Sequence, residues 1–391
     1  MPQKRRGGAA RAGGQEKQWS AEKRMREPNE IDFWRGFALV TIFVNHVPGI
    51  FFEHFTFRNV SLSDSAELFV FLAGWGLRKL TDGSAASLSA RWLFFRLEGR
   101  AFTVYVAQLA ITEAAIALLA AVSFRLDAPF LLDWHNASSI FYDPVRAHIG
   151  LVTLSYQLGY FNILPLYVVL LLVSPLIALA HRYAPQALPL VALAIYVGAL
   201  VSGANFSTWP SEGVWFFDPL CWQMIYVLGF LLAGADGLGG FARRNLRLLR
   251  LAAIPVLTFG VIAARLHFSP DPIDLPEPKL FFVFDKTYLS PARLLHSLAL
   301  VALFAGLYPT FARWAPRCCD FLSLLGRNSL NVFCAGSLLS LAGQIIRFVS
   351  GSGIVIDAAI VIFGVGSLGA VAWASEWRNR LRVKSSKASA A

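Results

Sequence analysis

Residues 31–49 read IDFWRGFALVTIFVNHVPG, with Glu30 just before them, and their interpretation decides the class of the whole chain. The apolar run extends to about residue 52, close to the ~20 residues that cross a hydrocarbon core about 30 Å thick. Yet it contains Asp32, Arg35 and His46. An Asp, Lys or Arg near the middle of a membrane helix costs at least about 2.5 kcal/mol, so such groups seldom persist without a role. Helical geometry relates them. At about 100° and 1.5 Å per residue, the eleven steps from Arg35 to His46 return the side chain to within about 20°, roughly 16 Å further along. Asp32 falls close enough to Arg35 to pair with it. One helix face thus carries a cation near its start and an imidazole near its end. Two roles fit at this point. Arg35 reaches headgroups while His46 bonds a neighbouring helix, or both serve a polar site inside the membrane.

Similar apolar stretches follow this first one at about 66–80, 101–124, 159–180, 187–203, 221–235, 251–267, 292–312, 328–348 and 354–376. With 56% hydrophobic and only 15% charged residues, the chain lacks the roughly 25% charged residues of an ordinary soluble domain. The expected fold is therefore all-α, a polytopic integral membrane protein of about ten transmembrane helices. The second and sixth stretches are short and are expected to be tilted, broken or partly spanning.

The formal charge of +11 does not indicate nucleic acid, because the cations gather at the ends and in short connectors. Lys4, Arg5 and Arg6, then Arg78, Lys79, Arg91, Arg96 and Arg100, then Arg243, Arg244, Arg247 and Arg250, and last Arg378, Arg380, Arg382 and Lys384 fall on one side of the alternating topology. Asp127, Asp133, Asp143, Glu212, Asp218, Asp271, Asp274 and Glu277 fall on the other. Cytoplasmic loops carry the Lys/Arg excess, which predicts both termini cytoplasmic. The domain reading is a disordered basic cytoplasmic tail over 1–30, a membrane domain over 31–377 and a basic cytoplasmic tail over 378–391. Cys221, Cys318, Cys319 and Cys334 lie in or beside apolar stretches and read as packing residues. No histidine pair has metal-ligand spacing, so no metal and no resident cofactor is expected.

The connectors 53–65, 125–158 and 204–220 are long and rich in aromatics such as Trp134, Tyr142, Trp209, Trp215 and Phe216. They suit either the membrane interface or a surface for stacking on sugar rings. The first of them concentrates His54, Thr56, Arg58, Asn59, Ser61 and Asp64, with Glu67 just inside the second stretch. Asp64 and Glu67 fit a helix N-terminus. A carboxylate beside a histidine also fixes its tautomer and stabilises the imidazolium, which general-base chemistry uses. No Gly-x-Ser-x-Gly elbow competes. Asn162, on the fourth stretch, suits an interhelical hydrogen bond. Arg293 and His296, three apart, share a face of the eighth; Arg293 either snorkels or receives an acyl carboxylate. Asp218 and Gln223 flank the sixth and either cap it or meet acceptor hydroxyls. The expected cavity is lined by the first, second, fourth and eighth stretches.

The run 31–49, then FTFRN (55–59) and SDSAELFVFLAG (63–74), resembles the opening of the OpgC family within the acyltransferase-3-like membrane transacylases. YFNILPLYVVLLLVSP (160–175), DPLCWQ (218–223), RLLH (293–296) and LGRNSLNVFCAGSLLS (325–340) are similar to further segments of that family. The resemblance implies an O-acyltransferase of the cell inner membrane. It would carry an acyl group, succinyl by family habit, from cytosolic acyl-CoA to hydroxyls of a periplasmic glucan. It further implies His46 as the catalytic histidine, aided by Glu67 and Asp64. Arg35 would serve the CoA-linked donor, and Asn45, Arg58, Asn59, Asn162, Arg293 and His296 are candidates for substrate contact. Asn45 or Arg58 would supply the oxyanion donor. A transporter or flippase for an anionic or sugar-linked solute is the competing class, since intramembrane His, Arg and acidic groups also line solute pathways.

Overall fold

A computed structural model describes residues 29–83, 86, 89–266 and 284–388, with side chains to residue 381. The basic amino-terminal segment and Asp271, Asp274 and Glu277 lie outside the described residues. Among the described residues the regular structure is all helical, with a single isolated bridge, Ser207 to Val214, in place of any strand. All ten apolar stretches lie on helices, namely α1 (Glu30–Asn45), α2 (Ser65–Asp82), α3 (Ala90–Leu126), α6 (Ile163–Tyr183), α7 (Ala187–Ser202), α8 (Pro219–Ala233), α10 (Leu246–Arg265), α11 (Pro291–Phe304), α14 (Ser329–Ser350) and α15 (Ile354–Ala388). Shorter helices connect them: α4 (Ser139–Tyr142), α5 (Pro144–Val152), α9 (Gly237–Arg244), α12 (Tyr308–Trp314) and α13 (Pro316–Arg327).

By length and apolar composition five segments can cross a membrane: Ala90–Leu126, Gly159–Tyr183, Leu246–Arg265, Ser329–Ser350 and Ile354–Leu381. Two bent pairs raise this to seven, α8 with α9 at 70° and α11 with α12 at 55°. The breaks follow the glycines: Gly237 and Gly306 both have positive φ, 59° and 72°, a conformation that glycine adopts at little steric cost. The remaining stretches give helices shorter or more polar than a full span. α1 has 16 residues, because the chain leaves the helix at His46 and continues into Pro48 and Gly49 rather than running helical to residue 52. At the other end α15 continues helical beyond residue 377 to Ala388.

Two helix pairs meet backbone to backbone. α1 packs against α13, where a methyl group on Gly36 would overlap the Leu322 carbonyl and one on Gly326 would overlap that of Asp32. α2 packs against α8 in the same reciprocal way, Gly74 against the Tyr226 carbonyl and Gly229 against that of Phe71. Small residues that admit close backbone approach are how membrane helices gain dispersion contacts without a hydrophobic driving force. Gly74→Val is therefore expected to destabilise the fold by about 1–3 kcal/mol through overpacking, read as a lower thermal midpoint in detergent. Gly99→Ala is the control: its methyl meets nothing within 4 Å, so a small gain is expected from reduced backbone freedom.

The packing brings the end of α1 to the start of α2. The linker between them holds two short 3-10 turns, Phe51–Phe55 and Phe57–Val60. His46 and Asp64, at its two ends, thereby face the same space.

Candidate active site

His46 occupies the C-cap of α1, with φ −89° and ψ 7°. Its imidazole lies nearly flat on the Tyr160 ring, with centroids 4.5 Å apart and planes at 25°. Its Nδ1 is buried and makes no hydrogen bond among the described residues, so none of their carboxylates fixes the tautomer through that nitrogen. The neighbouring Asn45 accepts a 2.8 Å bond from the Thr56 hydroxyl through Oδ1, which leaves its amide N–H groups as donors.

At the start of α2 the two carboxylates close a capping box. Asp64 accepts from the Ala66 N–H, and Glu67 Oε2 accepts from the Asp64 N–H at 2.9 Å. This satisfies backbone donors that a helix start leaves open. Each carboxylate also faces a cation. Arg293 reaches Glu67 Oε1 through Nε at 2.9 Å and Nη2 at 2.5 Å, and Glu67 is fully buried. Lys286 Nζ sits 2.5 Å from Asp64 Oδ2, with Arg293 Nη2 3.8 Å from the same oxygen. Two acids and two cations thus balance, the arrangement in which buried charge is tolerated. Lys286 also lies over Phe216 and Phe217, 5.7 and 5.4 Å from their ring centroids, within cation–π range.

Between these groups lies a cavity of about 410 Å³. It is lined by the polar residues His46, Asn45, Asn162 and Tyr160, by the charged residues Arg58, Lys286 and Asp64, and by the aromatic residues Phe216, Phe217 and Phe333. An apolar pocket with a few convergent polar groups is what small-substrate sites have in common. Here the polar set combines a potential proton acceptor, amide donors and cations.

A family model described as OpgC protein matches residues 26–380. The chain belongs to the OpgC family. No curated protein and no solved structure matches it.

In this OpgC-family chain five of the ten residues singled out from the sequence line the cavity: His46, Asn45, Arg58, Asp64 and Asn162. The other five do not. Glu67 sits one turn behind Asp64, bonded to Arg293. Arg293, itself buried, is the counter-ion of Glu67 and also lies 3.8 Å from Asp64. His296 turns its Nδ1 to Ser63 at 2.9 Å and its ring toward Gly260. Asn59 donates to the His54 carbonyl at 3.3 Å. Arg35 bonds the Leu72 carbonyl at 2.8 Å, alongside Gly76 on α2. The eighth stretch contributes no lining residue; Phe333 of α14 and Lys286, which precedes α11, take that place. Asp218 and Gln223 make bonds within the protein, Asp218 capping α8 and Gln223 donating to the Ala192 carbonyl.

Several members of the site were not read from the sequence as site residues: Lys286, Tyr160, Phe217 and Gln344. The one available signal was Lys286, a cation in a stretch whose neighbours in topology are acidic. His135, from the 125–158 connector, completes the group behind Tyr160. Its Nε2 lies 2.8 Å from Gln344 Oε1, and burial holds its imidazole below the ordinary histidine range.

Proposed function

We propose that this chain is a membrane-embedded O-acyltransferase that passes an acyl group, succinyl in the first instance, from cytosolic acyl-CoA to a hydroxyl of a periplasmic glucan. It would reside in the cell inner membrane as ten passes with both termini cytoplasmic, the shorter helices tilted or broken within the bilayer. Family membership supports a glucan succinyltransferase-like activity. The observation that carries the reading is His46, with a free buried nitrogen, on the wall of a cavity that also holds amide donors, cations and flat aromatic faces. Those faces suit a sugar ring, and the cations suit an acyl group ending in a carboxylate.

In the proposed step, His46 in its neutral form takes the proton from the glucan hydroxyl as that oxygen attacks the thioester carbonyl carbon. A C–O bond forms and the carbonyl becomes an oxyanion. Donors for it are the Asn45 amide, with Arg58 and Asn162 on the same walls. Collapse breaks the C–S bond, and the CoA thiolate takes the proton from the His46 imidazolium. Asp64 and Lys286 stay paired throughout and set the field at the cavity wall. Glu67 and Arg293 hold the start of α2, and Arg35, near the cytoplasmic end of α1, would meet the donor's approach.

The test is reconstituted protein given succinyl-CoA or acetyl-CoA with a linear or cyclic glucan. Thiol release and ester formation are expected in equal amounts, and neither without glucan. Thiol release that never modifies glucan would contradict transfer, and the preferred donor names the acyl group.

A further inference from the structure

Among the described residues no carboxylate bonds His46 Nδ1, as one does in many catalytic histidines, and other contacts hold its orientation. The face of α14 turned toward it supplies a set of bonds at residues 337, 340, 344 and 347, a spacing that aligns side chains on one side of a helix. The Ser340 hydroxyl donates to the Phe43 carbonyl at 3.0 Å, Gln344 Nε2 to the His46 carbonyl at 2.6 Å, and Arg347 Nη1 to the Pro48 carbonyl at 3.2 Å. These carbonyls lie where α1 ends, where helix geometry leaves acceptors without partners. The Ser337 carbonyl accepts from the Tyr160 hydroxyl at 2.9 Å, which holds the ring on which His46 rests.

Gln344 has a second bond. Because the His46 carbonyl only accepts, the Gln344 NH2 must face it and Oε1 must face His135. That in turn places a proton on His135 Nε2. The His135 ring meets Tyr160 edge-on, with centroids 4.8 Å apart and planes at 86°. A closed circuit results: Gln344 to the His46 main chain, the His46 ring to Tyr160, Tyr160 to His135, and His135 back to Gln344. Backbone geometry shows how tightly the circuit is built. His135 and Asn136 have φ of 56° and 65°, values uncommon for residues with side chains and maintained only where the surroundings impose them. Gly159 lies under the His135 ring, where a side chain would collide with it.

We infer that Gln344 is a positioning residue for His46, fixing its main chain directly and its ring plane through His135 and Tyr160. This rests on His46 being the base. The inference also makes the 125–158 connector part of the catalytic assembly, although it contributes nothing to the cavity wall.

Steady-state transfer by reconstituted His46→Ala, Gln344→Leu, His135→Phe, His135→Gln and the Gln344→Leu/His135→Phe double variant tests it. Gln344→Leu is expected to lower kcat by about 10–100-fold with KM for donor and glucan within about twofold, because a displacement near 1 Å costs rate rather than binding. The double variant is expected to lose no more than the worse single one, since the two side chains act through one bond. His135→Gln keeps an N–H for Gln344 Oε1 and is expected to retain more kcat than His135→Phe. Wild-type kcat in Gln344→Leu, a change confined to KM, or losses that multiply in the double variant would overturn the inference. If His46→Ala is inactive while Gln344→Leu is normal, positioning alone fails; if His46→Ala is active, the base assignment fails and positioning with it. Should Gln344→Leu not yield monodisperse protein, the contrast of His135→Phe with His135→Gln decides in the same way.

Discussion

Replacing His46 by alanine is expected to lower acyl transfer by about 10²–10⁴-fold, the contribution a positioned general base makes. His46→Phe is expected to lose as much. The phenyl ring, one atom larger, keeps a flat aromatic contact with Tyr160, where centroids are 4.5 Å apart, and carries no nitrogen to take a proton. The pair of variants therefore separates packing from proton transfer. Equal losses, with thermal midpoints near wild type, assign the loss to chemistry. Full activity in His46→Phe would make the imidazole a packing group, and a loss in Ala alone would make it a shape requirement. The donor KM should change little in both, because the proton moves in the transition state.

The second large effect concerns stability. Arg293→Met leaves Glu67, fully buried, without its partner, and breaking a buried pair from one side costs about 3–5 kcal/mol. Adding Glu67→Gln removes that charge while its amide keeps an acceptor for the Asp64 N–H, so the capping box persists. The double variant is thus expected to recover most of the lost stability, read as thermal midpoint in detergent. An Arg293→Met protein as stable as wild type would show that Glu67 is neutral and the pair is not ionic. A double variant no better than the single would assign the loss to packing of the Arg293 side chain.

Much of the architecture was legible because apolar run length is a one-dimensional property. Each of the ten stretches is on a helix. The segment 31–67 announced itself through ionisable groups in an apolar context. Where helices stop was less legible. Apolar residues continue past Asn45 to about residue 52, but Pro48 and Gly49 end α1, and a composition window averages over them. The 55° bend at Gly306 was hidden inside one continuous apolar stretch for the same reason.

Asn162 apart, the site was legible only in its local half. His46, Asn45, Arg58 and Asp64 lie within twenty residues and share one linker. Lys286 meets Asp64 across 222 positions, and Gln344 meets His46 across 298; no periodicity within either segment encodes such a meeting. Arg293 shows the converse. Its residue type allowed snorkelling or anion binding, and the outcome was decided by Glu67, 226 positions away. Partner identity, not residue type, sets what a buried cation does.

On the proposed function, the cavity at the end of α1 transfers an acyl group rather than passing a solute. Sealed proteoliposomes carrying acyl-labelled succinyl-CoA on one face and unlabelled glucan on the other test it most directly. Wild-type protein is expected to place the label on glucan at the opposite face with one free thiol released per ester, and His46→Ala to do neither. Label or glucan crossing the membrane without ester formation would contradict acyl transfer and make the chain a transporter.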